Sequence, residues 1–168
     1  MTPERQKEQD RLLKNGTGWC CTEFALRNIE DADSKALERR VLAIGDGFDC
    51  YVFARGVSGA DRKSLERRVL EIGTGYDCYT FARDIEGADI PALGARVLEI
   101  GTMDDCLFFA RAVPCADIKA LQNRVLESGS AKYCLVFASD VKGADREALE
   151  ARAQALQDEA DAALSPAP

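Results

Sequence analysis

The sequence predicts an all-α fold: a right-handed α-solenoid of five αα-hairpin repeats behind an N-terminal capping helix. Three observations carry this expectation. A block of the form Gly-x-x-x-x-Cys-x-x-Phe-Ala-Arg, followed by Gly-Ala-Asp and Arg-Val-Leu-Glu, recurs at a period of 28 residues, so that Cys50, Cys78, Cys106 and Cys134 are equivalent, as are Phe53, Phe81, Phe109 and Phe137. Asp33, Asp61, Asp89, Asp117 and Asp145 extend the pattern into a first, slightly longer copy. Each block holds two stretches of helical periodicity separated by capping residues, and a unit of this size buries its apolar face only by stacking on its neighbours.

The elements follow in order. Pro3 after Thr2 starts a helix, and Arg11-Leu12-Leu13-Lys14-Asn15-Gly16 aligns with Arg40-Val41-Leu42-Ala43-Ile44-Gly45, so residues 1–15 read as a half repeat that caps the array. In the second copy, Cys50, Phe53, Ala54 and Val57 fall at i, i+3, i+4 and i+7, one stripe of an amphipathic helix A. Leu65, Val69 and Ile72 give the stripe of helix B.

Asp46, Thr74, Thr102 and Ser130 each follow a glycine and are expected to N-cap helix A, with Asp49, Asp77 or Asp105 completing a capping box in three copies. A turn ending in Asp61, or its counterpart, N-caps helix B, and Pro91 suits the first turn of the third one. Gly45, Gly73, Gly101 and Gly129 occupy the position after helix B, where a left-handed backbone is expected.

Leu42, Leu70, Leu98 and Leu126 lie off the helix B stripe and are expected to pack on the following repeat, whereas the last copy has Gln154 and no follower. The repeats are therefore 16–44, 45–72, 73–100, 101–128 and 129–156, within one domain spanning 1–168, and residues 157–168 extend the last helix into a frayed tail.

With this patterning the chain resembles the broad class of helical-hairpin repeat proteins that includes the tetratricopeptide, pentatricopeptide and HEAT families. The resemblance covers residues 16–156. Its period is shorter than theirs, and Phe-Ala-Arg with Gly-Ala-Asp matches none of their signatures. The resemblance implies a fold and a prior for binding.

Composition narrows the function classes. The 168 residues carry a net charge of −7, which opposes nonspecific binding to phosphate backbones. The absence of histidine removes the usual neutral-pH general base and the commonest metal ligand. There is no bilayer-length apolar stretch, and the charged N-terminus lacks a secretory core, which points to a soluble cytoplasmic protein with reduced cysteines. No phosphate-cradling loop, metal-ligand spacing or paired general acid and base stands out, so no enzyme activity, cofactor or metal is expected.

Stacked helices lie about 8–10 Å apart, too far for a disulfide between equivalent cysteines. Cys50, Cys78, Cys106 and Cys134 are therefore expected to be small core hydrophobes. Cys115, in place of a loop glycine, is the one expected to react. Arg40, Arg68, Arg96, Arg124 and Arg152 occur in every copy, which suits an internal ladder to aspartates such as Asp49 or Asp61 or to loop carbonyls.

Arg55, Arg83 and Arg111 occur only in the inner repeats and share the outer face of helix A with Phe48, Tyr76 and Phe108, and with Trp19 at the N-terminal end. Aromatics interleaved with arginine are typical of recognition surfaces. The expected function is thus a noncatalytic protein-binding module, a scaffold, adaptor or inhibitor, whose acidic total favours a basic protein or peptide. Single-stranded nucleic-acid binding, with bases stacked on the aromatics, is the alternative. The uncharged Ile90-Pro91-Ala92-Leu93-Gly94-Ala95 segment is a candidate self-association patch.

Overall fold

Each helix begins at a side chain able to accept a hydrogen bond from its first free amides, and the computed structural model follows these signals closely. It describes residues 1–28, 30–128 and 130–164. Among them are eleven helices: α1 (Pro3–Asn15), α2 (Gly18–Arg27), α3 (Ser34–Ile44), α4 (Gly47–Gly56), α5 (Arg62–Ile72), α6 (Gly75–Asp84), α7 (Ile90–Ile100), α8 (Met103–Ala112), α9 (Ile118–Glu127), α10 (Ala131–Asp140) and α11 (Arg146–Leu164). No strand occurs among the described residues. The tail 165–168 lies outside them.

Capping chemistry sets the boundaries. Thr2 accepts from the Arg5 N–H at 3.4 Å with Pro3 at the helix start. Capping boxes join Asp46 to Asp49, Thr74 to Asp77 and Thr102 to Asp105. Asp33, Asp61, Asp89, Asp117 and Asp145 each accept from the N–H three residues on. Ser130 departs from expectation: its side chain makes no capping bond. Gly129 lies outside the described residues.

Consecutive helices pack as pairs, α2 on α3 through to α10 on α11, and two layers result. Even-numbered helices pack on one another in one layer, and α1, α3, α5, α7 and α9 do so in the other. Between the layers lie the fully buried Phe53, Phe81, Phe109 and Phe137, together with Leu37, Leu65, Leu93, Leu121 and Leu149. Each such side chain contributes roughly 1.5–3 kcal/mol of transfer free energy, so the core is a continuous strip. Leu42, Leu70, Leu98 and Leu126 are partly buried against it, and Gln154 is exposed.

Two expectations need correction. Gly45, Gly73 and Gly101 are not left-handed; they are extended, with φ near −71° and ψ near 156°. Glycine is required there by proximity, since a Cβ on Gly45 would stand 2.7 Å from the Val41 carbonyl oxygen. Positive φ belongs instead to Gly59, Gly87 and Gly143 in the turns inside the hairpins, and to Cys115 at 61°. Ile72, assigned to the core stripe, is 42% exposed. It ends its helix where the chain leaves for the next hairpin, and the buried neighbour of Leu65 is Glu66.

Candidate interaction surface

The buried side of each even-numbered helix is fixed by cysteine, phenylalanine and alanine, so the remaining side faces outward. Trp19 at 45%, Phe48 at 46%, Tyr76 at 49% and Phe108 at 37% exposure stand on it, where the sequence places them. Trp19 and Phe48, on successive even-numbered helices, stack with ring centroids 6.0 Å apart and planes inclined by 22°. Tyr51 and Tyr79 lie beneath, almost fully buried; Tyr51 touches Phe48, and Tyr79 lies between Tyr76 and Phe108.

The arginines of this face are engaged. Arg83 donates from Nε and Nη2 to the two oxygens of Asp84 at 2.6 and 2.7 Å, and from Nη1 to the Tyr79 hydroxyl at 2.8 Å. Its guanidinium stands 5.0 Å from the centre of the Tyr79 ring, a cation–π arrangement. From the preceding hairpin, Tyr51 donates to Asp84 at 2.5 Å and Arg55 pairs with the same carboxylate at 3.8 Å. Arg111 pairs with Asp140 of the following hairpin at 3.3 Å.

These bonds hold the Asp84 carboxyl at about 2, chiefly through the Arg83 hydrogen bonds, against the opposing effect of burial. Burial first, then the bond to Asp84, pushes the Tyr51 hydroxyl up. Three guanidiniums against two carboxylates leave this network one positive charge. The face is thus a row of rings held by an inter-hairpin network rather than an open cationic stripe.

Other exposed apolar side chains lie outside the surface expected from the sequence. Ile44, Ile72 and Ile100 end successive odd-numbered helices and are 41–42% exposed, and Leu135 on α10 is 53% exposed. Ile44 and Ile72 precede Phe48 and Tyr76 by four residues, a spacing that would have marked them. Tyr51 and Tyr79 follow the core cysteines directly, and nothing in the sequence distinguishes their anchoring role.

The other arginine row reaches backbone carbonyls at two positions, one of the two kinds of partner expected, and no aspartate. Arg40 donates to the carbonyl of Gly16, just after α1, at 3.3 Å, and Arg152 to that of Leu126, in the preceding repeat, at 3.4 Å. Arg68 and Arg96 pair instead with Glu71 and Glu99 on their own helices, at 3.5 and 2.8 Å. Aspartate ion pairs are absent from this row among the described residues, because Asp49 and Asp61 are committed to helix starts.

The inter-hairpin bond that recurs is made by another residue. Gln9 accepts from the Asp33 N–H at 2.9 Å, Glu38 from Asp61, Glu66 from Asp89 at 2.5 Å, and Gln122 from Asp145 at 2.7 Å.

Cys50, Cys78, Cys106 and Cys134 are buried and free, and Cys115 is exposed. Burial pushes the thiols of Cys50 and Cys78 up to about 12 and that of Cys106 to about 11. No cluster that could hold a metal ion occurs among the described residues, and no helix there is long and apolar enough to cross a membrane. An all-helical chain whose helices pack in consecutive pairs is the class these observations define. No protein-family model, curated protein or solved structure matches it.

Proposed function

We propose that the chain is a right-handed α-solenoid of five hairpin repeats with an N-terminal cap, and that it is a noncatalytic protein-binding module of the cytoplasm. The surface used is the outer face of the inner even-numbered helices, with Phe48, Arg55, Tyr76, Arg83, Phe108 and Arg111 in contact with the partner. The observation that carries this reading is the row of half-exposed rings, Trp19, Phe48, Tyr76 and Phe108, positioned by the Tyr51, Arg83 and Asp84 network. Rings held in place before binding lose little freedom on association, and aromatic anchors of this kind dominate interface energies.

A net charge of −7 favours a basic protein or peptide, whose arginine or lysine side chains can lie on the exposed ring faces. Affinity capture from the source cell with the native chain and with a Phe48→Ser/Tyr76→Ser variant tests this. A partner retained by the first and lost by the second supports it; equal retention rejects this face. Tight binding of a labelled single-stranded oligonucleotide, abolished by the same variant, would favour the nucleic-acid alternative.

A further inference from the structure

At four of the five junctions between odd-numbered helices a side chain of the earlier helix accepts from the N–H that starts the later one, and at the fifth this acceptor is missing. Glu38 and Glu66 accept from the N–H groups of Asp61 and Asp89, while Lys35 and Lys63 donate to the carbonyls of Gly59 and Gly87 at 3.0 and 3.1 Å. One acceptor and one donor thus satisfy the two polar backbone groups of each turn. Gln122 supplies the acceptor for Asp145.

Between α7 and α9, Pro91 stands in place of the lysine, Gly94 in place of the glutamate and Cys115 in place of the glycine. What remains is a cavity of about 260 Å³, walled by Pro91, Gly94, Leu98, Phe109, Cys115 and Asp117. Neither the Asp117 N–H nor the Cys115 carbonyl has a hydrogen-bond partner among the described residues. Both residues are open to solvent, so these groups are hydrated in the free protein, and a ligand that replaces that water beside the largely apolar wall must supply one acceptor and one donor.

We propose that this cavity binds a neutral small molecule carrying a primary amide on a compact apolar body. The amide oxygen accepts from Asp117, as Gln122 does from Asp145, and the amide NH2 donates to the Cys115 carbonyl, as Lys63 does to that of Gly87. The apolar body lies against Phe109, Pro91 and Leu98. A carboxylate is disfavoured, because the lysine is gone and the Asp117 carboxylate caps the helix beside it.

Benzamide is the test probe, with benzoate as the charged counterpart. Benzamide should shift the Asp117 amide resonance of the full chain and protect Cys115; at ten times its Kd about one-eleventh of sites stay open, so alkylation should slow about tenfold. Benzoate should do so far more weakly. A Gly94→Gln variant should lose both effects, and its Cβ meets Phe109 only at ordinary contact distance, 3.4 Å. Unchanged Asp117 and Cys115 signals in the native chain at millimolar benzamide would overturn the proposal without reference to any variant. So would equal protection by benzoate, or a concentration-dependent dimer that buries Cys115 with no probe present.

Discussion

The carboxylate of Glu66 accepts a hydrogen bond from the backbone N–H of Asp89 at 2.5 Å, across 23 residues of sequence. Glu66 is 4% exposed, and its other oxygen meets Lys63 at 3.0 Å. One side chain thereby fastens the start of α7 to the middle of α5. The same position does this from the capping helix onward, except at Gly94, where the array has a gap.

Glu66→Ala should destabilise the fold by about 1–3 kcal/mol, since it leaves the Asp89 N–H unmet and the buried site empty. Glu66→Gln should recover most of that loss, because Gln9 and Gln122 already perform the role as neutral amides. Urea titration of the three proteins decides it. Equal losses in the two variants would mean that charge, not the acceptor oxygen, holds the junction.

At the gap the effect should reverse. Gly94→Ala should stabilise α7 by up to about 1 kcal/mol by relieving the cost of a helical glycine. Gly94→Gln should add about another 1 kcal/mol if its oxygen reaches the Asp117 N–H. A Gln variant no more stable than the Ala variant would show that the acceptor position cannot be rebuilt by side-chain identity alone.

Helix positions, hairpin pairing and the buried cysteine and phenylalanine rows were legible in the sequence because capping and 3.6-residue periodicity are local signals. The glycines after α3, α5 and α7 were legible as punctuation, but their reason was not. The close approach to Val41, four residues back, follows from an extended backbone after the helix, whereas the capping pattern of glycine after a helix suggests a left-handed one. Nothing in the sequence marks Glu38 and Glu66, since only stacking brings the N–H groups of Asp61 and Asp89 within their reach. Of the candidate surface, the exposed rings were visible from the helical wheel. The pairing of Arg83 with its neighbour Asp84 was also within reach of the sequence, but the tie from Arg55 to the same carboxylate was not, because Asp84 belongs to a different hairpin from Arg55.

Thiol chemistry should separate the cysteines sharply. In the native state, alkylation should reach exposed Cys115 first and should reach Cys50, Cys78 and Cys106 only on unfolding, since burial both blocks access and holds their thiols near 11–12. Cys115→Gly should also stabilise the turn by roughly 1 kcal/mol, because Cys115 sits at φ 61° where its counterparts are glycine. Native-state labelling of the core row by mass spectrometry at the rate of Cys115 would contradict the packing.

Acid should weaken the network around Asp84. Its folded carboxyl titrates at about 2 against an ordinary 3.8, so its contribution is complete above pH 3.8 and is lost as pH falls toward 2. The stability difference between the native chain and Asp84→Asn should therefore shrink across that interval. Asp49 runs the other way, its carboxyl pushed up by burial, so the comparison must be between these two proteins rather than of one acid melt. An unchanged difference at pH 2.5 and pH 7 would mean that Arg83 and Tyr51 do not favour the ionised form.

The binding face is best probed through its rings. Arg83→Glu is a poor probe, since it would place a carboxylate beside Asp84 and remove the bonds that hold Asp84 and Tyr79, confounding folding with binding. Phe48 and Tyr76 are about half exposed, but Phe48 gives up ring contacts with Trp19 and Tyr51 and Tyr76 one with Tyr79, so serine at both positions should cost about 1–3 kcal/mol of stability. If these rings anchor a partner, each should carry about 2 kcal/mol or more of binding, so each single variant should weaken capture by roughly 30-fold and the double variant, if the two add, by roughly a thousandfold. Arg55→Ala, a truncation at the most exposed arginine of the face, should weaken it less. Titration of the captured partner by calorimetry, beside a thermal melt of each variant, reads both effects. A double variant that melts normally and binds at full affinity would move the interface off these rings, with the exposed Ile44, Ile72 and Ile100 row as the next surface to alter.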